Sequence, residues 1–337
     1  MNPRKNPIDL LFVIAPHSLL LDIAGPAEAF RLANLRMTDR KQPPHFRLRF
    51  AAPAPGTLTS VGLPLAELEP LPKTVSASTW VIVVGQPSVH ACQLSPGVHA
   101  ISQWLRRVML GPLGDPDTSN RLVTVCSGSL IAARAGLVDG RQCTTHHDLL
   151  ATLRSLAPRA QVMDNRVFVI DGPLASSAGV TAGIDLALHL IAEECGEALA
   201  AGVAEDLVVY LRRSHHDPEL SPFLANRRHV HSAVHRVQEA ISTEPERDWT
   251  MPEMARVGHV TERHLLRLFI RHANVSPLQF LRSVRLERAR QLIERGTGIG
   301  RAAEVAGFRS ALHMRRAWLR QWGGSPRDAL AGSSAAS

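Results

Sequence analysis

The last third of the chain repeats itself, and that repetition leaves few folds open. Between residues 249 and 326 a short helical pattern, a tight turn and an arginine-bearing helix occur twice, with one long helix between the copies. Helices this short are marginal alone and must share a core. Two helix-turn-helix units on one spacer suit two neighbouring stretches of DNA major groove.

The details support the pattern. Val230, Val234, Val237 and Ile241 recur at helical spacing, which predicts a support helix over 229–243. After a polar turn at 244–248, residues 251–257 form the short helix of the first unit, with Ala255 as the small residue at the helix contact. His259 takes the turn position where glycine is usual. Thr261 suits the N-cap of a helix over Glu262–Ala273. Leu265, Leu268 and Phe269 are its inward face, and Arg263, Leu266, Arg267 and Arg271 are left on the other. Ser276, Pro277 and Gln279 start the spacer helix with a cap, a first-turn proline and a capping box. Phe280, Leu281, Val284, Leu286, Ala289, Leu292 and Ile293 carry its apolar positions to about residue 295. In the second unit Ala303 and Gly307 are the small and turn residues, followed by a helix over 310–321. Leu312, Met314 and Trp318 are candidates for its inward side, although those near the turn could equally face the groove. His313, Arg316 and Arg320 are candidates for contact.

Charge follows the same division. Residues 226–337 hold 19 Arg, no Lys and 10 acidic residues, a net of +9, whereas residues 1–225 hold 19 Lys and Arg against 20 acidic residues, a net of −1. Arginine forks onto phosphates and guanine edges.

The first two thirds read differently. Strands are expected at 8–15, Phe46–Ala52, 80–85, Arg121–Val125, 142–145, 167–170 and Leu174–Ser177. Helices are expected at 25–34, 98–109, 130–135, 183–194 and 198–212. Strands alternating with helices imply an α/β sandwich on a largely parallel sheet. The Pro/Gly-rich stretches 52–64 and 111–118 read as surface loops. Arg4 and Lys5 precede an apolar run too short for a signal peptide or membrane span, because Asp9 and Pro16 bound it. Cys92, Cys126, Cys143 and Cys195 show no metal-site spacing, and a reduced cytoplasm is the expected setting.

At Cys126 a strand runs into Ser127-Gly128-Ser129 and then a helix. Such an elbow holds a side chain at the carboxyl edge of the sheet beside a positive helix end, which lowers a thiol pKa and attracts anions. A nucleophile needs that geometry; a small apolar residue at a strand end is the plain alternative. His146 and His147 read as structural histidines. His215 and His216 lie in a polar, proline-containing stretch that reads as solvated linker, and no metal site is expected.

Four ordered motifs carry a resemblance: L-L-L-D-I-A-G-P-A-E-A-F (19–30), V-C-S-G-S (125–129), G-L-V-D-G-R-Q-C-T-T-H (136–146) and S-S-A-G-V-T-A-G-I-D-L-A-L (176–188). Residues 8–212 resemble the DJ-1/PfpI class of glutamine-amidotransferase-like domains, in the GlxA-like branch fused to AraC-type regulators. The resemblance implies a flavodoxin-like sandwich with a pocket at the elbow. Cys126 matches the elbow cysteine, Asp22 the acidic residue that approaches it, and Ser127 the hydroxyl residue that follows it. His146 falls near the same edge. Residues 230–330, including G-G-S-P at 323–326, resemble the AraC/XylS family of bacterial transcription regulators. That likeness implies seven helices, with 262–273 and 310–321 entering successive major-groove segments. Arg263, Leu266 and Arg267, then Ala311, Leu312, His313 and Arg316, match base-facing sites. Met314 and Trp318 stand where phenylalanines are more usual.

The expected organisation is a sensor domain over 1–213, a linker over 214–228, an all-α DNA-binding domain over 229–330 and a disordered tail over 331–337. The expected function is a transcription regulator, an activator, that senses a small nitrogen-containing metabolite and needs no cofactor. Its expected partners are double-stranded DNA, RNA polymerase, the effector and a second copy of itself, in the bacterial cytoplasm at the nucleoid. The competing class is a cysteine-dependent hydrolase, hydratase or amidotransferase with an autoregulatory DNA-binding tail. A thiol redox sensor is a third reading.

Overall fold

The apolar runs of the first part pair into a seven-stranded sheet. The computed structural model describes residues 7–91, 93–111, 113, 115, 118–209, 231–294, 296–322 and 324–326. Cys92, His215, His216, the expected linker and the expected tail lie outside the described residues. The chain divides into two units, Met1–Glu219 and Leu220–Ser337.

In the first unit, β1 (Ile8–Val13), α1 (Leu20–Asp39) and β2 (Phe46–Ala52) are followed by the short strands β3 (Thr57–Leu58), β4 (Pro64–Leu65) and β5 (Glu69–Pro70). Next come β6 (Thr79–Val83), α2 (Ser88–Ala91), α3 (Pro96–Met109), β7 (Arg121–Val125) and α4 (Gly128–Arg134). The unit continues with β8 (Gln142–Cys143), α5 (Leu150–Leu156), β9 (Gln161–Val162), β10 (Phe168–Asp171), β11 (Leu174–Ser177), α6 (Thr181–Cys195) and α7 (Glu197–Asp206). The sheet order is β10-β11-β7-β6-β1-β2-β5, parallel except at β10–β11.

Both faces of the central strands are buried, as a parallel sheet between helices requires. Leu10 and Phe12 of β1 join Trp80 and Ile82 of β6 in a core with α1, α6 and α7. Leu11 and Val13 join Val81 and Val83 in a second core with α3, α4 and α5. The period of two along a strand sends neighbours to opposite layers. This is the α/β sandwich on a largely parallel sheet that the alternating strands and helices predict.

Four expectations need correction. The 52–64 segment is not simply loop, because Thr57 pairs with Leu65 and Leu58 with Pro64 in a small antiparallel ribbon. The strand expected over 142–145 is Gln142–Cys143 and pairs with β9, outside the main sheet. It ends there because the Thr144 amide turns to the Ser176 hydroxyl at 2.9 Å. The first helix is longer than 25–34, spanning Leu20–Asp39 with Pro26 inside it. The last helix stops at Asp206, short of 212. Val208 has φ 53°, which a right-handed helix cannot include.

The second unit is helical: α8 (Ser232–Thr243), α9 (Met251–Gly258), α10 (Glu262–Ala273), α11 (Pro277–Glu294), α12 (Ile299–Val305) and α13 (Ala311–Trp322). These are six of the seven implied helices among the described residues. Two separate cores form. Phe280, Leu281 and Val284 of α11 close the first with α8, α9 and α10. Leu286, Ala289 and Ile293 close the second with α12 and α13. From Val284 to Leu286 an α-helix turns about 200°, so the apolar stripe changes sides midway. One helix thereby holds a helix-turn-helix on each side. Among the described residues, no helix is long and apolar enough to cross a membrane.

Candidate functional site

At the carboxyl edge of the sheet, Cys126 has φ 56°. Its amide donates to the Ser177 carbonyl at 3.0 Å, and the residue is 3% exposed. A non-glycine residue in the left-handed region carries strain that the surroundings must hold. Two glycines grip it. A Cβ on Gly85 would lie 2.6 Å from the Cys126 Cβ, and one on Gly179, at φ +93°, only 2.2 Å away. Gly128 has no room for a Cβ either, since it would come within 2.1 Å of the Val83 carbonyl oxygen. The small residues of the motifs therefore serve backbone approach at this elbow.

Asp22, on α1, is wholly buried beside the cysteine. Its Oδ1 accepts the Val180 amide at 2.8 Å. Its Oδ2 has no partner at full hydrogen-bond geometry and lies against Gly85 and the Cys126 thiol. Burial pushes the carboxyl up to about 6, against the opposing pull of the Val180 amide, the Cys126 thiol and the Gly85 backbone. Asp22 and Cys126 are thus brought together as the motifs imply. Ser127 is beside them but engaged with Gln86, accepting from its amide at 2.6 Å and donating to its carbonyl at 2.9 Å.

His146 follows Thr145, whose hydroxyl donates to the Cys126 carbonyl at 2.8 Å. The imidazole of His146 lies 3.6 Å from the Asp148 carboxylate and packs on His147 with ring centroids 4.1 Å apart. Donor atoms of His146, His147 and Asp148 all lie within 4.8 Å of one another, so these three residues could hold a metal ion. Sequence reading missed this grouping, although three adjacent ligand types were its visible signal. Burial raises the Cys143 and Cys195 thiols to about 11, which leaves both largely protonated at neutral pH.

In the second unit α10 and α13, the second helices of the two helix-turn-helix units, present matching faces. Leu265, Leu268 and Phe269 of α10 are buried, as are Met314, Ala317 and Trp318 of α13. Thr261 accepts the His264 amide at 3.3 Å and Ser310 accepts the His313 amide at 3.1 Å, so both helices are capped. The turns match too: His259 has φ 55° and Gly307 φ 84°. Arg263, Leu266, Arg267 and Arg271 are exposed on α10, and Leu312, His313, Arg316 and Arg320 on α13, with Ala311 half-buried. Leu312 is therefore an outward residue, 57% exposed, not part of the core. Its place one residue into the helix turns it away from Met314. Ile270 and Leu319, 55% and 59% exposed, extend the two faces. Sequence reading passed over them as apolar residues, yet Ile270 is one helical turn beyond Leu266.

Comparisons with known proteins agree with this two-part architecture. The helix-turn-helix domain family matches residues 254–331 and the DJ-1/PfpI family residues 115–193. The transcriptional regulator GbdR of Pseudomonas aeruginosa is 30% identical over 329 residues, covering 96% of this chain and 84% of its own. The transcriptional regulator GlxA of Rhizobium meliloti is 29% identical, covering 94% of this chain and 93% of its own. An isonitrile hydratase of Pseudomonas putida is 44% identical over 78 residues, covering 22% of this chain and 32% of its own.

Proposed function

The chain belongs to the AraC-type transcriptional regulators that carry a DJ-1/PfpI domain at the N-terminus, and on that premise we propose that it is an activator governed by a small nitrogen-containing metabolite. It is a DNA-binding regulator. The observation that carries the proposal is the pairing of two capped, arginine-faced helices with a second, separately folded α/β unit. In this reading residues 1–213 sense the effector, 214–228 link, and 229–330 bind an operator as a dimer and contact RNA polymerase at the bacterial nucleoid. Effector binding favours one arrangement of the DNA-binding halves, and that difference in affinity is the regulatory coupling.

The effector pocket lies at the carboxyl edge of the sheet, where open α/β sheets place ligands. A buried carboxyl whose Oδ2 meets only the Cys126 thiol and the Gly85 backbone, neither at full hydrogen-bond geometry, favours a ligand that bears N–H groups. The pH behaviour of Asp22 gives a test. Its folded pKa of about 6 exceeds the ordinary 3.8. The unfolded chain therefore releases this proton first as pH rises. Stability falls between pH 4 and 6 by about 3 kcal/mol and stays lower above that window. Asp22→Asn abolishes this loss, read as the difference between the two melting-temperature profiles. Amines and amino acids that pair with the carboxylate raise the melting temperature more at pH 7.5 than at pH 5. A stabiliser acting equally on Asp22→Asn would remove Asp22 from the pocket.

The enzyme reading has its own observation: a carboxyl with a raised pKa against a strained cysteine. It predicts turnover of isonitriles or amides that Cys126→Ala abolishes. Effector-dependent transcription by Cys126→Ala, without turnover in the parent protein, decides for the sensor.

A further inference from the structure

The outward face of α10 has a composition that phosphate binding does not require. Arg263, Leu266, Arg267, Ile270 and Arg271 line one shallow cleft of about 340 Å³. Leu266 is 41% and Ile270 55% exposed. They stand one helical turn apart, so they form one continuous apolar strip. The inward positions of the same helix are filled by Leu265, Leu268 and Phe269, so the strip is not surplus core. Arg263, Arg267 and Arg271 run alongside it on one flank of the helix. An apolar strip with cations along one flank, on the second helix of a helix-turn-helix unit, matches one feature of the major groove. Among base-pair edges only thymine presents a methyl group there, while guanine presents paired acceptors that fit arginine.

Building on the DNA-binding function, we propose that α10 reads thymine 5-methyl groups next to guanine, with Leu266 and Ile270 as the methyl contacts and Arg267 on the guanine. The second head differs. Its exposed leucines, Leu312 and Leu319, are two turns apart with Arg315 and Arg316 between them. It has no continuous strip, so strong methyl reading belongs to the first half-site alone.

The test uses the full-length protein. Duplexes are selected from a random pool, and each thymine of the selected site is replaced in turn by deoxyuridine, which lacks only the methyl group. Loss of a buried methyl corresponds to about a fourfold loss of affinity. One or two positions in a single half-site show this loss. Leu266→Ala and Ile270→Ala bind thymine and uracil duplexes alike at those positions, with unchanged circular-dichroism melting because both side chains are exposed. Equal binding of thymine and uracil duplexes by the parent protein, with guanine preference intact, overturns the proposal. Unchanged discrimination in both alanine variants overturns it as well. If no sequence preference emerges at all, the DNA-reading assignment of the helix fails, and this inference with it.

Discussion

His259 and Gly307 occupy the same place in the two helix-turn-helix units, the left-handed residue between the first helix and the second. Only one of them has room for a side chain. His259 closes α9 at φ 55° and ψ 40° with its imidazole exposed. At Gly307 a Cβ would lie 2.6 Å from the Cα of Glu246 and 2.9 Å from the Pro245 carbonyl oxygen. The reason is a strap. The segment between α8 and α9 is drawn against α11, where Arg285 donates to the carbonyls of Pro245 and Arg247, both at 2.7 Å. Arg288 pairs with Glu246 at 3.0 Å. The second turn is pressed against this strap, whereas the first faces outward. The same backbone conformation is thus a local matter in one unit and a tertiary contact in the other.

Substitutions at the two turns would break that comparison most sharply. Gly307→Ala adds left-handed strain to a collision with backbone and costs about 3 kcal/mol or more. Hydrogen exchange in the intact protein registers this as lost protection in α12 and α13. A cost below about 1 kcal/mol would mean the strap gives way. Next come the arginines of the reading helices. Arg267→Ala and Arg316→Ala each relax base preference by about 1–3 kcal/mol, at different half-sites, measured by competition with single-base operator variants. Relaxation at the same half-site would refute two independent heads. The caps follow: Thr261→Ala and Ser310→Ala each lose about 1 kcal/mol of stability, and a large inequality between them in urea unfolding would show that one helix start depends on something else. The smallest effect has the opposite sign. His259→Gly relieves strain at an exposed turn, partly offset by unfolded-chain entropy, and stabilises by about 0.5 kcal/mol.

Much of this architecture was legible because it is periodic. The spacing of Leu265, Leu268 and Phe269 identifies the inward face of α10 without any structure, and Ser276-Pro277 marks the start of α11. The elbow was legible through its small residues, since Val125-Cys126-Ser127-Gly128 reads as a strand entering a helix. Ser127 was harder to place. Its hydroxyl is spent on Gln86, 41 residues away in the sequence, and no local pattern announces such a pairing. Leu312 stood ambiguous because a residue just inside a helix can face either way until its neighbours are known. Cys143 and Cys195 look alike in sequence to Cys126, yet only packing shows that the first two are thiols raised by burial. Ile270 and Leu319 were passed over because an apolar residue in an amphipathic helix is read as core unless its direction is known.

The sequence by itself determined the division of the chain, the alternation of strands and helices in its first part, and the two capped helices of its second. Those features rest on local propensity, capping and hydrophobic period, which act over a few residues and are written along the chain. Tertiary structure alone decided that Asp22 is wholly buried, that Gly85 and Gly179 wall the elbow, and that the second turn has no room for a side chain. These depend on contacts between segments far apart in sequence, where burial sets the cost of a charge and close packing sets the room for a single carbon atom.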